Sequence, residues 1–170
     1  PLYLQGDHTS VSYRNIVLTP VLTSIPSVGE WPQAAGPTGN FITQGNAPKQ
    51  FSGATGDNVR WRVPLPNTGQ SAAIISGGRI FVTSHEPITQ DTQTGAAILG
   101  LCFDAETGEE LWRRTIPGTR ETDLSSLFND NTAYSPVADG KRVIFINVGG
   151  TIKCFDYNGK EIWSHVWTPF

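Results

Sequence analysis

The chain has 170 residues, a formal net charge of −3, and 38% hydrophobic residues, which suits one domain of ordinary size. Its 18 glycines and 12 prolines favour many turns and few helices. There is no basic stripe to suggest a nucleic-acid partner, and no apolar run approaches the roughly 20 residues that a membrane-spanning helix requires.

Residues 1–22 are predicted to form a β-hairpin. Leu2–Gln5 forms a short strand, Gly6–Ser10 has the composition of a turn, and Val11–Leu18 alternates between two faces. A hairpin of this length is at best marginally stable alone in water, so it must pair with further strands. Because the chain opens at Pro1 with this hairpin, we expect it to be a piece of a longer protein.

The amino-acid sequence of this hairpin resembles that of a known family. The run Leu2–His8, followed by Val11 and Tyr13–Ile16, resembles the last two strands of the 3-keto-disaccharide hydrolase family, a jelly-roll sandwich linked to sugar binding or cleavage. The resemblance implies that residues 1–22 end such a domain. Polar and charged groups here could hydrogen-bond a sugar, although a solvated polar turn is the alternative. The candidate carbohydrate-binding residues are Gln5, Asp7, His8 and Arg14.

Residues 23–56 form a predicted linker or extended lead-in. The segment is rich in Pro, Gly, Ser, Thr, Asn and Gln and shows no hydrophobic period. It carries Trp31-Pro32-Gln33, and because a bare linker rarely contains tryptophan, we expect this tripeptide to dock on a folded surface.

A repeat organises residues 57–170. The sequence pattern of Leu101–Trp112 recurs at Lys153–Trp163, and each copy is predicted to form a strand, a tight turn and a second strand. Cysteines recur 52 positions apart, at 102 and 154, and tryptophans recur 51 positions apart, at 112 and 163. A unit of this size built from short strands indicates a radial array of small sheets.

The repeat predicts about two four-stranded sheets, preceded by a further strand at 58–65 that carries Trp61. The central strands are apolar on both faces, as expected for sheets packed between other sheets. Sheets stacked in this way lie roughly 10 Å apart, whereas a disulfide needs Cα atoms within about 7 Å, so we expect free thiols. The predicted strands are 71–75, 79–84, 96–103 and 111–114 in the first copy, and 133–137, 142–147, 151–155 and 161–164 in the second.

These repeats also resemble a known family. The pattern Asp-x-x-Thr-Gly-Glu-x-Leu-Trp at 104–112, its counterpart at 155–163, and Tyr134–Val137 with Asp139-Gly140 are similar to the repeat of pyrroloquinoline-quinone (PQQ)-type β-propellers. The resemblance implies an all-β fold, a partial β-propeller of about two four-stranded blades. It also implies that Trp61, Trp112 and Trp163 are docking residues that pack between blades.

The resemblance leaves function open, because this fold serves several activities. We expect a binding or scaffold segment of an exported bacterial multidomain protein, periplasmic or extracellular, whose partner is carbohydrate or protein, together with the remaining propeller blades. One alternative is a PQQ-dependent quinoprotein oxidoreductase; another is a glycoside-processing hydrolase whose cleft lies in the jelly-roll domain. Quinoprotein dehydrogenases usually carry adjacent cysteines, whereas Cys102 and Cys154 are far apart. We therefore predict no cofactor or metal, with PQQ and calcium implied only by the oxidoreductase alternative.

Overall fold

The computed structural model describes residues 29–42, 49–86, 97–119 and 131–168. Within these ranges the chain forms eight β-strands joined by turns and irregular segments. Within these ranges there is no helix that is long and apolar enough to cross a membrane. The predicted hairpin at 1–22, with Gln5, Asp7, His8 and Arg14, lies outside the described residues.

The first sheet is a simple antiparallel meander. Strands β1 (Ile74–Ser76), β2 (Arg79–His85), β3 (Ile98–Asp104) and β4 (Glu110–Ile116) lie side by side in chain order. The β1–β2 turn is Gly77-Gly78, and both glycines have positive φ, 58° and 71°. Two residues with positive φ match the twist of a tight hairpin, which explains why glycine occupies both positions.

The second sheet repeats the first. It consists of β5 (Val137–Ala138), β6 (Arg142–Asn147), β7 (Thr151–Asp156) and β8 (Glu161–Val166), again antiparallel and in chain order. The predicted all-β class, with about two four-stranded blades, is confirmed.

The repeat extends to the register of individual residues. Cys102 lies opposite Trp112, Cys154 lies opposite Trp163, and each cysteine is followed by a register shift in the ladder. Such a shift marks a β-bulge, which locally increases strand twist. Between the first two strands of each sheet, the pair Ile74–Phe81 corresponds to the pair Val137–Ile144. Residues at equivalent repeat positions therefore point to equivalent faces of the two sheets.

An aromatic core joins the two sheets. Phe81 and Trp112 of the first sheet meet Phe145 and Phe155 of the second, with ring centroids 5.9–6.4 Å apart. Tilted and edge-on geometries at this spacing are the arrangements that aromatic pairs prefer. Both cysteines are buried free thiols, as predicted. The first sheet thus buries one face against the second.

Two sequence predictions need correction. The segment 58–65 is not a strand: no ladder forms there, and Val63 packs against the opposite face of the first sheet, beside Val82, Leu101 and Phe103. Alternating hydrophobicity gave the strand signal, but pairing needs a neighbouring strand, and none lies beside this segment within the described residues. The first strand of the second repeat is only Val137–Ala138, shorter than the predicted 133–137.

Burial of the central strands also differs between the two sheets. All of β3 from Ile98 to Phe103 is buried, as expected for a strand covered on both faces. In β6, buried residues alternate with the half-buried Ile144 and Ile146. The reason is that, in the described part of the chain, the second sheet has another sheet packed on one face only.

The lead-in segment touches both sheets. Trp31 exchanges two backbone hydrogen bonds with Ile75 of β1, at 2.8 and 2.9 Å, and the carbonyl of Pro32 accepts one from the amide of Ala138 in β5, at 2.8 Å. Two consecutive residues therefore bond to the first strand of each sheet. This is the docking expected of the tryptophan in the lead-in.

We predict that Phe145→Ala lowers the free energy of unfolding by about 3–5 kcal/mol, because this fully buried ring contacts three other rings and leaves a cavity when removed. Urea unfolding followed by tryptophan fluorescence measures the change. Ile162→Ala, at an exposed position on β8, is the control and should cost less than about 1 kcal/mol. Equal losses in the two variants would contradict the proposed core.

Candidate functional site

Two tryptophans hold the β-turn of the following repeat in the same way. The Trp112 indole lies over Gly159, where an added Cβ would be 2.9 Å from the ring, and its Nε1 donates to the carbonyl of Tyr157 at 3.0 Å. The Trp61 indole lies over Gly108, where a Cβ would be 2.6 Å away, and its Nε1 donates to the carbonyl of Ala105 at 3.1 Å. Each contact needs a glycine, since any side chain would displace the indole.

Two arginines strengthen the contact at the second turn. The Arg114 guanidinium lies 5.7 Å from the centre of the Trp112 ring and donates through Nε to the carbonyl of Gly159 at 2.8 Å. Arg79 donates to the carbonyl of Tyr157 and, at 3.4 Å, to the carboxamide oxygen of Asn158. The turn carbonyls, which no strand partner satisfies, thus receive donors from the first sheet.

The side chain of Tyr157 projects from this turn onto the first sheet. Its ring centroid lies 5.1 Å from that of Phe81, and the Arg79 guanidinium carbon lies 6.0 Å from the ring centre. A Cβ added at Gly77 would come within 2.8 Å of the ring. Burial raises the pKa of the Tyr157 hydroxyl, so the side chain stays neutral. The Tyr157 side chain therefore packs into a site on the first sheet formed by Gly77, Arg79 and Phe81, which we call the socket for Tyr157.

The outer face of the second sheet carries the same set of positions. Val137, Ile144, Cys154 and Trp163 are the register equivalents of Ile74, Phe81, Cys102 and Trp112. The exposed fraction distinguishes the two sets, because Trp112 is 7% exposed and Trp163 is 40% exposed. An open cavity of about 140 Å³ lies on this face, and we call it the Trp163 groove; it is lined by Val137, Ala138, Asp139, Arg142, Ile144, Cys154 and Trp163.

An ion pair stands at the edge of the groove. Arg142 contacts Asp139 with N–O distances of 2.8 Å and 2.6 Å, and the amides of Lys141 and Arg142 donate to the same carboxylate at 3.0 and 2.7 Å. Partial burial acts to raise the pKa of Asp139, but these hydrogen bonds and the Arg142 charge outweigh it and leave the pKa below its usual value. The groove thus combines an apolar floor with a fixed carboxylate at its rim.

The thiols on the two equivalent faces stay protonated at neutral pH. Burial raises the pKa of Cys102 to about 11, and burial likewise raises the pKa of Cys154. Because the thiolate is the nucleophile and the metal ligand, both sulfur atoms behave at neutral pH as small apolar groups. Within the described residues, no three His, Cys, Asp or Glu side chains are grouped so that they could hold a metal ion.

The sequence singled out Trp61, Trp112 and Trp163 as docking residues but did not identify the groups that they contact. Trp61 and Trp112 each lie on a turn, and Trp163 lies on the exposed face of the second sheet. The socket for Tyr157 and the pair Asp139–Arg142 were not predicted. A signal existed for the two arginines alone, because Arg79 and Arg142 follow the turn glycines Gly77 and Gly140 at the same spacing. The proposed sugar residues Gln5, Asp7, His8 and Arg14 lie outside the described part of the chain.

Comparison with known proteins gives structural neighbours only. No protein-family model and no curated protein sequence matches the chain. Among solved structures, BamB from Moraxella catarrhalis is 23% identical over 65% of this chain, with a TM-score of 0.45. A europium-containing methanol dehydrogenase is 19% identical over 62% of the chain, with a TM-score of 0.37. The matched part spans only 28% and 18% of those two proteins.

We predict that Gly159→Ala is more destabilising than Gly140→Ala. Both glycines have positive φ, 79° and 89°, so each substitution carries the backbone cost of about 1–2 kcal/mol. Only at Gly159 does the new Cβ also collide with the Trp112 indole, whereas nothing lies within 4 Å at Gly140. Urea midpoints compare the two variants, and a shifted tryptophan emission should accompany Gly159→Ala alone. Equal midpoints would show that the indole does not need the glycine.

A second prediction concerns pH. The pKa of Asp139 is lowered in the folded state, so its contribution to stability is complete above the unfolded value of about 3.9 and is lost as pH falls through the folded value. Wild type should therefore exceed Asp139→Asn in free energy of unfolding at pH 7 and pH 5, and the gap should shrink below about pH 4. Urea unfolding at each pH measures the gap. A gap that does not change with pH would contradict the stabilising role of the carboxylate.

Proposed function

We propose that this chain is a binding or scaffold segment of a β-propeller, in an exported, periplasmic or extracellular, multidomain bacterial protein. One observation carries the proposal. Trp163 has the repeat position and strand register of Trp112, yet residue Trp163 is 40% exposed whereas Trp112 is 7% exposed. The second sheet therefore presents a docking face that resembles the one already occupied on the first sheet.

The chemistry of this face suits a macromolecular partner. Val137 and Trp163 are large apolar residues that stay exposed, and Ile144 beside them is only half-buried. Contiguous exposed apolar surface marks interaction sites, since covering it is favourable by roughly 25 cal/mol per Å². On the first sheet the equivalent face is covered by protein, which favours polypeptide as the partner here. A carbohydrate partner is a further proposal that rests on the resemblance of residues 1–22 to a sugar-associated family.

The two enzyme alternatives stand on resemblance alone. A quinoprotein site is expected to have adjacent cysteines, whereas Cys102 and Cys154 lie on separate sheets. A glycoside hydrolase would have its cleft in a jelly-roll domain, whose proposed residues lie outside the described ranges. The described residues add no observation that favours either alternative over a scaffold.

Site-specific photocrosslinking tests the proposal. A benzophenone amino acid replaces Val137 in the groove or, as a matched control, Leu111 on β4; both positions are exposed and apolar. The variants are expressed in the cells that naturally make the protein, and adducts are identified by peptide mass spectrometry. We expect a defined polypeptide adduct at position 137 and none at 111. Equal labelling at both positions, or no polypeptide adduct at 137, would overturn the proposed function.

A further inference from the structure

We propose that Asn158 is a site of spontaneous deamidation, and that the docking of its turn on the first sheet controls the rate of this reaction. Asn158 is followed by Gly159, and this is the only Asn-Gly pair in the sequence. Asparagine is a thermolabile residue, and a glycine after it has no Cβ to hinder attack by its amide nitrogen. The inference does not depend on the proposed function, because it concerns a turn within the described sheets.

The reaction needs only the chain and water. The backbone nitrogen of Gly159 attacks the carboxamide carbon, Cγ, of Asn158; a C–N bond forms, the amide proton is lost, and ammonia leaves, which gives a cyclic imide. Water then adds to one of the two imide carbonyls. Cleavage of the new bond at Cγ gives aspartate, whereas cleavage at the backbone carbonyl gives isoaspartate, in which the main chain runs through the former side chain.

In the docked turn the nucleophile is held in place. Gly159 is buried, and its amide donates to the carbonyl of Asp156 at 3.0 Å. Its carbonyl accepts from Nε of Arg114 at 2.8 Å, and the Trp112 indole covers its α-carbon so closely that a Cβ would lie 2.9 Å from the ring. Attack removes the proton that the first bond uses and turns the peptide unit toward the Asn158 side chain. The docked turn must therefore release the glycine before the reaction can proceed.

The Asn158 side chain, in contrast, is accessible. It is exposed to water, and its carboxamide oxygen accepts a hydrogen bond from Arg79 at 3.4 Å, which is long for such a bond. The barrier that the fold adds thus lies in the turn and its cover. Local opening of the contact between Trp112 and Gly159 is enough to remove it, and proteins open locally at a lower free energy than they unfold.

The equivalent turn of the first sheet is chemically inert. There the glycine under Trp61 is Gly108, and the residue before it is Thr107, which has no carboxamide carbon to be attacked. The single Asp-Gly pair, Asp139-Gly140, carries an ionised carboxylate, which is a poor electrophile. The repeat therefore places a reactive pair under a tryptophan in the second sheet only.

The two products affect the docked turn differently. Aspartate leaves the main chain unchanged and places a carboxylate beside Arg79, where a charge-assisted hydrogen bond replaces that of the carboxamide. Isoaspartate adds a methylene to the main chain between the Tyr157 carbonyl and Gly159, and Trp112 contacts both of these groups. They can then no longer occupy their present positions together. Isoaspartate thus converts a brief opening into a lasting loss of the contact.

Peptide mass spectrometry of the full chain, incubated in mildly alkaline buffer, measures conversion at Asn158 and separates the two products. A linear peptide of residues 155–161 gives the rate without the fold. We expect the folded chain to react at least about tenfold more slowly than the peptide, since about 1.4 kcal/mol of docking free energy already reduces the open population tenfold. Asn158→Thr, which copies Thr107, is the matched control and should abolish the product.

Variants of the chain locate the control of the rate. Trp112→Ala, and the milder Arg114→Ala that keeps the indole, should each bring the rate closer to that of the peptide, Trp112→Ala by at least about tenfold. Val82→Ala lowers stability on the opposite face of the first sheet and should leave the rate unchanged, because it does not touch the turn. Circular dichroism checks that each variant is folded. The separated isoaspartate form should show shifted tryptophan emission, whereas Asn158→Asp should not.

Several results would overturn the inference. Equal rates in the folded chain and the peptide would show that docking does not control the reaction. Acceleration by Val82→Ala as large as that by Arg114→Ala would assign the reaction to global unfolding. A rate that neither Trp112→Ala nor Arg114→Ala changes would exclude the contact as the control, and an isoaspartate form with unshifted emission would exclude the loss of docking.

Discussion

The contact of an indole ring with a glycine holds this structure together. Trp112 reaches from the last strand of one sheet to the turn between the last two strands of the next, where Gly159 leaves room for the ring. The contact fixes the spacing and the register of the two sheets together, because the indole must meet both a glycine and a carbonyl. In that register Phe81 and Phe145 meet in the aromatic core, with ring centroids 6.4 Å apart.

The contact is directional, and this gives the two faces of a sheet different roles. On one face, the tryptophan of the sheet contacts a turn of the next repeat. The sheet's own turn, in the same way, contacts the tryptophan that precedes it in the chain. In the first sheet both roles are filled, by Trp61 over Gly108 and by Trp112 over Gly159. In the second sheet Trp163 stays exposed and Asp139 holds Arg142 beside it, whereas the equivalent Arg79 reaches across to the neighbouring turn. The second sheet thus leaves exposed the positions that the first sheet fills.

Much of this fold could be predicted from the sequence, because its signals are local. The 52-residue spacing of Cys102 and Cys154 predicted two equivalent sheets, and the glycines at the turns predicted the hairpins. The strand at 58–65 was wrong, since alternation shows only which face is apolar and pairing depends on a neighbour. The socket for Tyr157 could not be found, because it joins residues about 80 positions apart, such as Arg79 and Tyr157, which only the packed sheets bring together.

The lead-in segment has a mechanical consequence. Trp31 bonds to Ile75 in the first sheet and the adjacent Pro32 bonds to Ala138 in the second, so the dipeptide Trp31-Pro32 links the first strands of the two sheets. Neighbouring Cα atoms are about 3.8 Å apart, so these two strands are held close together where the dipeptide binds them. A force applied to this segment is therefore shared between the two sheets. The spacing of the two sheets is thus set by backbone hydrogen bonds of the lead-in segment as well as by side chains of the aromatic core.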